Sequence, residues 1–343
     1  MKTLLLLGAT ASGKTSFAVQ LAEKLPVEII GVDSRQVYRG LDIGSGKDIS
    51  EYERPSGRKI PYHLIDIVEP DEVYTLAEFL RDARTAAEKI TENGHLPFFV
   101  GGTALYLHAL LKKYTLSGGA PEQEEREQLN SLELSELQDI LSGLDPDCEI
   151  LKNEPNNRYR IIRKIETLRV VVGQPERTQA EELADISDME FLVMGVFRER
   201  HEIRSRIEQR LDERLEQQNM LDEACRLHDE CGVSWERLEF FGLEYREMAL
   251  HLQGKISYQE MRDSLLTKIH RFAKRQDSWF RKFERDGIPI HWFKPDEVDA
   301  AASLSQDFLN GMPLDPPKFR LADKFYGPVQ PRESGARQLR VKN

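Results

Sequence analysis

Gly8-Ala9-Thr10-Ala11-Ser12-Gly13-Lys14-Thr15, entered from the apolar run Leu4 to Leu7, constrains the fold more than any other stretch of the chain. It fits G-x-x-x-x-G-K-[ST] and stands where a strand pattern gives way to a helical one, the context that separates a phosphate-binding loop from a chance glycine-rich turn. The two glycines let successive backbone N–H groups turn inward, and the following helix N-terminus adds partial positive charge. Lys14 then reaches an outer phosphate, and Thr15 offers a hydroxyl to Mg²⁺. A polyphosphate ligand follows from this. The loop alone leaves open whether it is a nucleotide or another diphosphate.

Strand and helix signals alternate from here. Thr3–Leu7 reads as a buried strand, Lys14–Leu25 as a helix, and Val27–Val32 as a second apolar strand ending at Asp33. Tyr74–Glu92 has Phe79, Ala83, Ala86, Ala87 and Ile90 on one helical stripe and closes at Asn93-Gly94. Leu96–Val100 is a short strand, and Gly101-Gly102 leads into a helix over Thr103–Leu111. The rhythm predicts the α/β class, a P-loop NTPase-like parallel sheet flanked by helices. Ligands of such sheets sit at the carboxyl ends of the strands. The P-loop, Asp33 and Gly101-Gly102-Thr103 all fall there, so three strand ends are expected to serve one pocket.

Residues 113–187 turn helical and charged, with breaks at Gly118-Gly119, Asp145-Pro146 and Glu154-Pro155. Glu190–Val196 then resumes the strand pattern, so 113–187 reads as a mainly helical insertion in a core made of 1–112 and 188–312. Long C-terminal helices are expected over 201–231, 244–253 and 257–284. From Pro313 the chain holds Pro316, Pro317, Pro328 and Pro331 among charges; 313–343 is expected to be a flexible tail whose removal from about residue 312 leaves folding intact.

The net charge of −11 over 343 residues argues against a nucleic-acid partner only if charge is spread evenly. It is not. Acidic residues crowd 120–140 and 176–190, and basic ones crowd 158–169 and 268–285. No apolar run approaches the ~18 residues of a membrane span and no signal peptide is read, so a cytoplasmic protein without a membrane partner is expected. Cys148, Cys225 and Cys231 give no disulfide framework. Cys225, His228 and Cys231 do not share one helical face, so they read as reduced thiols rather than a zinc site.

Asp33 has three readings: a metal-binding carboxylate, a general base at the phosphate end, or a cap on the turn Asp33-Ser34-Arg35-Gln36. The strand Leu96–Val100, which could supply an NTPase-type Asp, ends in glycines instead; the chain does not look built to hydrolyse ATP. Gly101-Gly102-Thr103 is either tight packing with an N-cap, or close approach of a substrate that Thr103 hydrogen-bonds. Arg206 and Arg210, one helical turn apart, belong either to a solvated helix face or to a fork on a diphosphate. Two stretches suit RNA: Asn156-Asn157-Arg158-Tyr159-Arg160 with Arg163 and Lys164, and a helical face with Lys268, Arg271, Arg275 and Trp279 beside Gln276. Cations hold phosphates there and aromatic rings stack on splayed bases; a solvated face with Trp279 and Phe280 turned inward is the alternative.

Taken together, the motif at 8–15, Asp-Ser-Arg-Gln-Val-Tyr-Arg-Gly-Leu-Asp-Ile-Gly at 33–44, His63-Leu64-Ile65-Asp66, Gly101-Gly102-Thr103-x-Leu105-Tyr106-Leu107, the Asn156–Arg163 segment ahead of Glu166, and Ala273-Lys274-Arg275-Gln276-x-x-Trp279-Phe280 resemble, in order and spacing, the bacterial tRNA dimethylallyltransferases, also called tRNA isopentenyltransferases. The resemblance runs from about residue 3 to 283. It implies transfer of a dimethylallyl group from dimethylallyl diphosphate to the exocyclic amine (N6) of the adenosine on the 3′ side of the anticodon. It implies further that Gly8, Ala9, Thr10, Ala11, Ser12, Gly13, Lys14 and Thr15 hold the diphosphate, in a loop that the family also treats as ATP-binding. Mg²⁺ is the implied cofactor, with Thr15 as its protein ligand. Asp33 matches the family's general base, Thr103 the residue near the target adenine, and Arg206 a phosphate-clamping arginine whose register against Arg210 is open. Asp33, Ser34, Arg35, Gln36, Thr103, Asn157, Arg158, Tyr159, Arg160 and Ile161 match tRNA-contacting positions. Ala9 stands where a proline is usual, and Gly242-Leu243-Glu244-Tyr245 where many members carry Gly-Tyr and a basic residue.

Two rivals remain at this level. A P-loop kinase of a small metabolite or nucleotide would use the same loop with Asp33 as base; the helical C-terminal half with Lys274–Phe280 tells against it. A non-catalytic RNA-binding module with a vestigial P-loop would not need Lys14, Thr15 and Asp33 intact. The protein is expected to act as a monomer.

Overall fold

The computed structural model describes residues 1–54, 57, 59–113, 123–173 and 186–324. Gly118-Gly119, most of the acidic stretch 176–190, and Pro328 and Pro331 of the tail lie outside the described residues. Among the described residues six strands form one sheet: β1 (Lys2–Leu7), β2 (Val27–Val32), β3 (Tyr62–His63), β4 (Leu96–Gly101), β5 (Glu190–Val196) and β6 (His291–Phe293), in the order β3-β2-β4-β1-β5-β6. The pairs β2–β3, β2–β4 and β5–β6 are parallel, with Val27 to Val32 in register with Leu96 to Gly101. Strands covered by helices on both faces are mostly apolar, as in Leu4 to Leu7 of β1 and in β2, where Glu28 is the one charged residue. The helices are α1 (Lys14–Ala22), α2 (Leu76–Glu92), α3 (Ala104–Leu111), α4 (Gln123–Ser131), α5 (Leu134–Leu144), α6 (Glu149–Asn153), α7 (Arg158–Gly173), α8 (Arg200–Glu216), α9 (Met220–Asp229), α10 (Trp235–Phe241), α11 (Leu243–Leu252), α12 (Tyr258–Arg285) and α13 (Val298–Leu309).

The chain divides into two compact units whose boundary cuts through β1 and β5. The first comprises Met1–Leu4, Pro26–Asp42 and Tyr52–Leu192. In it α2 begins with a capping box, Thr75 Oγ1 accepting from Glu78 N while Glu78 returns the bond to Thr75 N. Its stripe of Phe79, Leu80, Ala83, Ala87 and Ile90 is buried, and each large side chain contributes roughly 1.5–3 kcal/mol. The expected insertion supplies α4–α7 to this unit and has a small core of its own, in which Leu129, Leu137, Leu141, Cys148, Ile161, Ile162 and Ile165 pack together.

The second unit comprises Leu5–Leu25, Ile43–Glu51 and Val193–Asn343. Its longest element, α12, opens on the capping box Ser257–Glu260 and buries Met261, Leu265, Ile269, Ala273, Gln276, Phe280 and Phe283 along one face. The stretch expected to be one helix over 201–231 is two, α8 and α9, because Asn219 adopts a left-handed conformation (φ 57°) between them. The first part of the expected tail is held. Leu321 is 2 % exposed, and Glu284 of α12 accepts from Leu321 N at 3.0 Å and Ala322 N at 2.6 Å. Phe319 meets Phe197 edge-on at 5.2 Å, and Lys324 pairs with Glu199. Residues 318–324 thus form a strap across the unit, tied where the sequence pattern showed only prolines and charges.

Candidate functional site

The loop after β1 lies in the second unit. Gly8 is required by crowding: a Cβ there would sit 2.8 Å from Ser12 Oγ and 3.1 Å from the Val196 carbonyl. Ala11 (φ 60°) and Gly13 (φ 94°) are both left-handed, and α1 starts at Lys14. A left-handed alanine costs about 1–2 kcal/mol, so something must hold the loop in shape. Three side chains from distant parts of the chain do so. Gln276 Oε1 accepts from Thr10 N at 2.8 Å, Arg206 Nε donates to the Ala11 carbonyl at 2.9 Å, and Arg198 Nε donates to the Ser12 carbonyl at 2.9 Å. Lys14 Nζ donates to the Ala9 carbonyl at 2.9 Å. Ser12 Oγ, by contrast, is buried and has no hydrogen-bond partner among the described residues. An oxygen left in that state inside a loop of turned-in amides fits an incoming phosphate.

The charge around the loop is positive. Arg210 is neutralised by Asp48 at 2.6 Å, with Arg214 at 3.9 Å from the same carboxylate. Among the described residues no carboxylate lies within ion-pair distance of Arg198 or Arg206. Burial, with repulsion from Arg198 and Arg210, holds Arg206 below the usual guanidinium range. Of the two arginines between which the sequence left the register open, Arg206 donates to the loop and Arg210 pairs with Asp48. A cavity of about 420 Å³ opens beside it, with Ala9, Ser12, Arg198, Arg204, Lys274 and Trp292 in its wall. Among the described residues no group of three or more His, Cys, Asp or Glu side chains could hold a metal ion, and the three cysteines are free.

In the first unit, Asp33 stands at the end of β2. Its Oδ1 accepts from Arg35 N at 2.9 Å and Gln36 N at 3.3 Å, the turn-capping geometry that the sequence allowed. Capping engages one carboxylate oxygen in these bonds and fixes the direction of the other. Thr103 does not cap α3; its Oγ1 accepts from Ser34 N at 3.0 Å, tying the start of α3 to the turn beside Asp33. Gly101 has a packing reason. A Cβ on it would overlap the Val32 carbonyl, so the close approach is between the ends of β4 and β2.

The residues matched to tRNA contacts in the insertion divide by side-chain environment. Ile161 is fully buried in the core of α4–α7. Arg158 Nη2 reaches the carbonyls of Leu129, Asn130 and Leu132 at 3.3, 2.8 and 2.6 Å and so closes the end of α4. Asn157 caps its own turn through Glu154 and Arg160 N, and Arg160 pairs with Glu154. Arg160 and Tyr159 are exposed, Tyr159 at 70 %, with the Arg126 guanidinium 5.8 Å from the Tyr159 ring centroid and held by Glu166. On α12, Arg271, Lys274 and Arg275 are exposed, but Lys268 is paired with the buried Glu247, Trp279 is half-buried against Phe283, and Gln276 is buried at the P-loop. The motif read as an RNA face is thus partly a support for the phosphate loop. The sequence reading gave Arg198 no role of its own. Its signal was available: a cation directly past a sheet strand stands at the carboxyl edge where ligands bind.

A parallel sheet, a glycine-bent loop between β1 and α1, and arginines braced against that loop define a P-loop α/β protein. Family comparison makes this specific. The model for "IPP transferase" matches residues 36–283 and that for "Isopentenyl transferase" residues 1–59, and the chain belongs to the IPP transferase family, whose members are prenyl transferases. It is 45 % identical over 301 residues to tRNA dimethylallyltransferase 1 of Syntrophus aciditrophicus, covering 88 % of this chain and 96 % of that one. Among solved structures it is similar to the full-length tRNA isopentenylpyrophosphate transferase of Bacillus halodurans, at 33 % identity and TM-score 0.62, covering 90 % of this chain and 96 % of that chain. A eukaryotic dimethylallyltransferase acting on tRNA shares the fold at TM-score 0.75 and 24 % identity, over 92 % of this chain and 81 % of that one. No helix among the described residues is long and apolar enough to cross a membrane.

Proposed function

We propose that the protein transfers a dimethylallyl group from dimethylallyl diphosphate to N6 of the adenosine 3′-adjacent to the anticodon in tRNA, giving N6-isopentenyladenosine, and that it works in the cytoplasm. The observation that carries the reading is the braced P-loop with Arg206 at its rim in a chain of this family. The loop amides, Lys14 and Arg206 bind the diphosphate and take up the charge that grows on it as the allylic C–O bond breaks. Mg²⁺ fits as a metal that arrives with phosphate oxygens and needs few protein ligands; Thr15 Oγ1 would hold it, and it would stabilise the leaving diphosphate. Adenine's amine is a weak nucleophile. Asp33 accepts its proton as the C–N bond forms, its carboxylate oriented by the turn amides, and Thr103 keeps that turn in place.

The base must leave the anticodon-loop stack to react. Asp33, Ser34, Arg35 and Gln36 lie on the turn that meets it, and the insertion offers Tyr159 as the stacking surface, with Arg126 behind it.

The test mixes the protein, Mg²⁺, radiolabelled dimethylallyl diphosphate and either an unmodified anticodon stem-loop or AMP. Label on the stem-loop, lost when the target adenosine is replaced, is the expected result. Label on AMP alone would make the acceptor a free nucleotide, and ATP turnover without any prenyl transfer would favour the kinase. Asp33→Asn is expected to bind the stem-loop normally and to lose roughly 10²–10⁴-fold in transfer rate; undiminished transfer removes Asp33 from the base role.

A further inference from the structure

We infer that Arg198 is a second diphosphate-binding residue, standing beside Arg206 and sharing the charge of the leaving group; the inference rests on the reading of the P-loop as a diphosphate site. Arg198 and Arg206 grip successive carbonyls of the loop, Ser12 and Ala11, each through Nε at 2.9 Å. A guanidinium has five N–H donors, and anchoring a carbonyl uses one. The four Nη donors of each arginine are therefore directed by the anchor and left for something else. Nη2 of Arg198 lies 3.9 Å from the point a Cβ on Gly13 would occupy, at the very start of α1. Ser12 Oγ, buried and without a partner among the described residues, belongs to the same turn of the loop.

Three further observations favour an anion over a purely structural arginine. Arg210, the third cation of the group, is neutralised by Asp48, whereas Arg198 and Arg206 face no carboxylate within ion-pair distance among the described residues. Arg198 and Arg206 repel each other, and Arg206 is held below its ordinary range by burial and by repulsion from Arg198 and Arg210, which Glu202 and Glu51 offset only in part. A diphosphate between them removes that repulsion, and it takes the planar fork better than any single charge would. Finally, Arg198 and Ser12 both line the cavity of about 420 Å³ beside the loop.

The test titrates inorganic pyrophosphate with Mg²⁺ into the wild-type protein and the Arg198→Lys, Arg198→Gln and Lys14→Ala variants by calorimetry, with the thermal midpoint of each recorded. Gln can still donate to the Ser12 carbonyl but has no charge; Lys keeps the charge and loses the fork. Arg198→Gln is expected to weaken pyrophosphate binding about 10- to 100-fold, and Arg198→Lys to recover part of the loss. Retention of wild-type affinity by Arg198→Gln while Lys14→Ala has lost it, or Gln binding as well as Lys, overturns the inference and leaves Arg198 a loop support. If Lys14→Ala binds like wild type, or wild type does not bind, the diphosphate reading of the loop falls and takes this inference with it.

Discussion

Glu284→Gln tests how the C-terminal strap is held, and its cost follows from the bonds. The carboxylate is 4 % exposed and accepts from Trp292 Nε1 at 2.7 Å, Leu321 N at 3.0 Å and Ala322 N at 2.6 Å. Glutamine replaces one acceptor oxygen with an NH₂ group, so at least one of the three N–H donors faces another donor in a dry site. Losing a charge-assisted bond removes about 1.5–3 kcal/mol, and stranding its donor adds a desolvation cost of about 1–3 kcal/mol. Relaxation recovers part, and the expected loss is about 3 kcal/mol. With a urea m-value of about 3 kcal/mol/M, that lowers the unfolding midpoint by ~1 M. Leu321→Ala alone is expected to cost about 2–5 kcal/mol, since it empties a buried site on the same strap. Because both changes release one segment, the double variant should lose less than the sum, by at least ~1 kcal/mol. A Glu284→Gln midpoint within ~0.2 M of wild type, or strict additivity with Leu321→Ala, would refute the reasoning and restore 313 onward as a dispensable tail.

Two other outcomes follow. Gly101→Ala drives a Cβ into the Val32 carbonyl, which is backbone and cannot rotate away, so a loss above about 3 kcal/mol is expected; urea unfolding indistinguishable from wild type would show that β4 shifts freely. Glu28 is buried, which opposes ionisation, yet hydrogen bonds from His95 and His63 hold its carboxyl below the usual 4.5. Its stabilising effect is therefore full above about pH 4.5 and fades as pH falls through the lower folded-state value. The stability gap between wild type and Glu28→Gln should close on acidification below that point; a gap constant from pH 7 to 3 would count against it.

What could be read from the sequence was what is local. β2 matches its expected bounds at Val27–Val32 because a mostly apolar stretch lies between a proline and an aspartate, and the start of α12 follows from Ser257 and Glu260 three residues apart. The P-loop was legible for the same reason, its eight residues being contiguous. β6, three residues long, and α10, seven, are too short for periodicity to register. The break at Asn219 carries no glycine or proline to mark it. Side-chain purpose was harder still. Gly101 was open to a substrate and meets Val32 instead, and the Lys274–Phe280 motif suggested RNA while its Gln276 faces the loop. Such roles depend on which distant segment folds alongside, and no window along the chain contains both partners.

The braces of the phosphate loop come from far downstream: Arg198, Arg206 and Gln276 are separated from their loop partners by 186, 195 and 266 residues. During synthesis the N-terminal motif emerges early, yet nothing then available can hold Ala11 and Gly13 in their left-handed turns. The set of braces is complete only once the greater part of α12 has left the ribosome. An incomplete chain therefore lacks the side chains that brace its phosphate loop. Competence arrives in one late step, with the folding of the far C-terminal half.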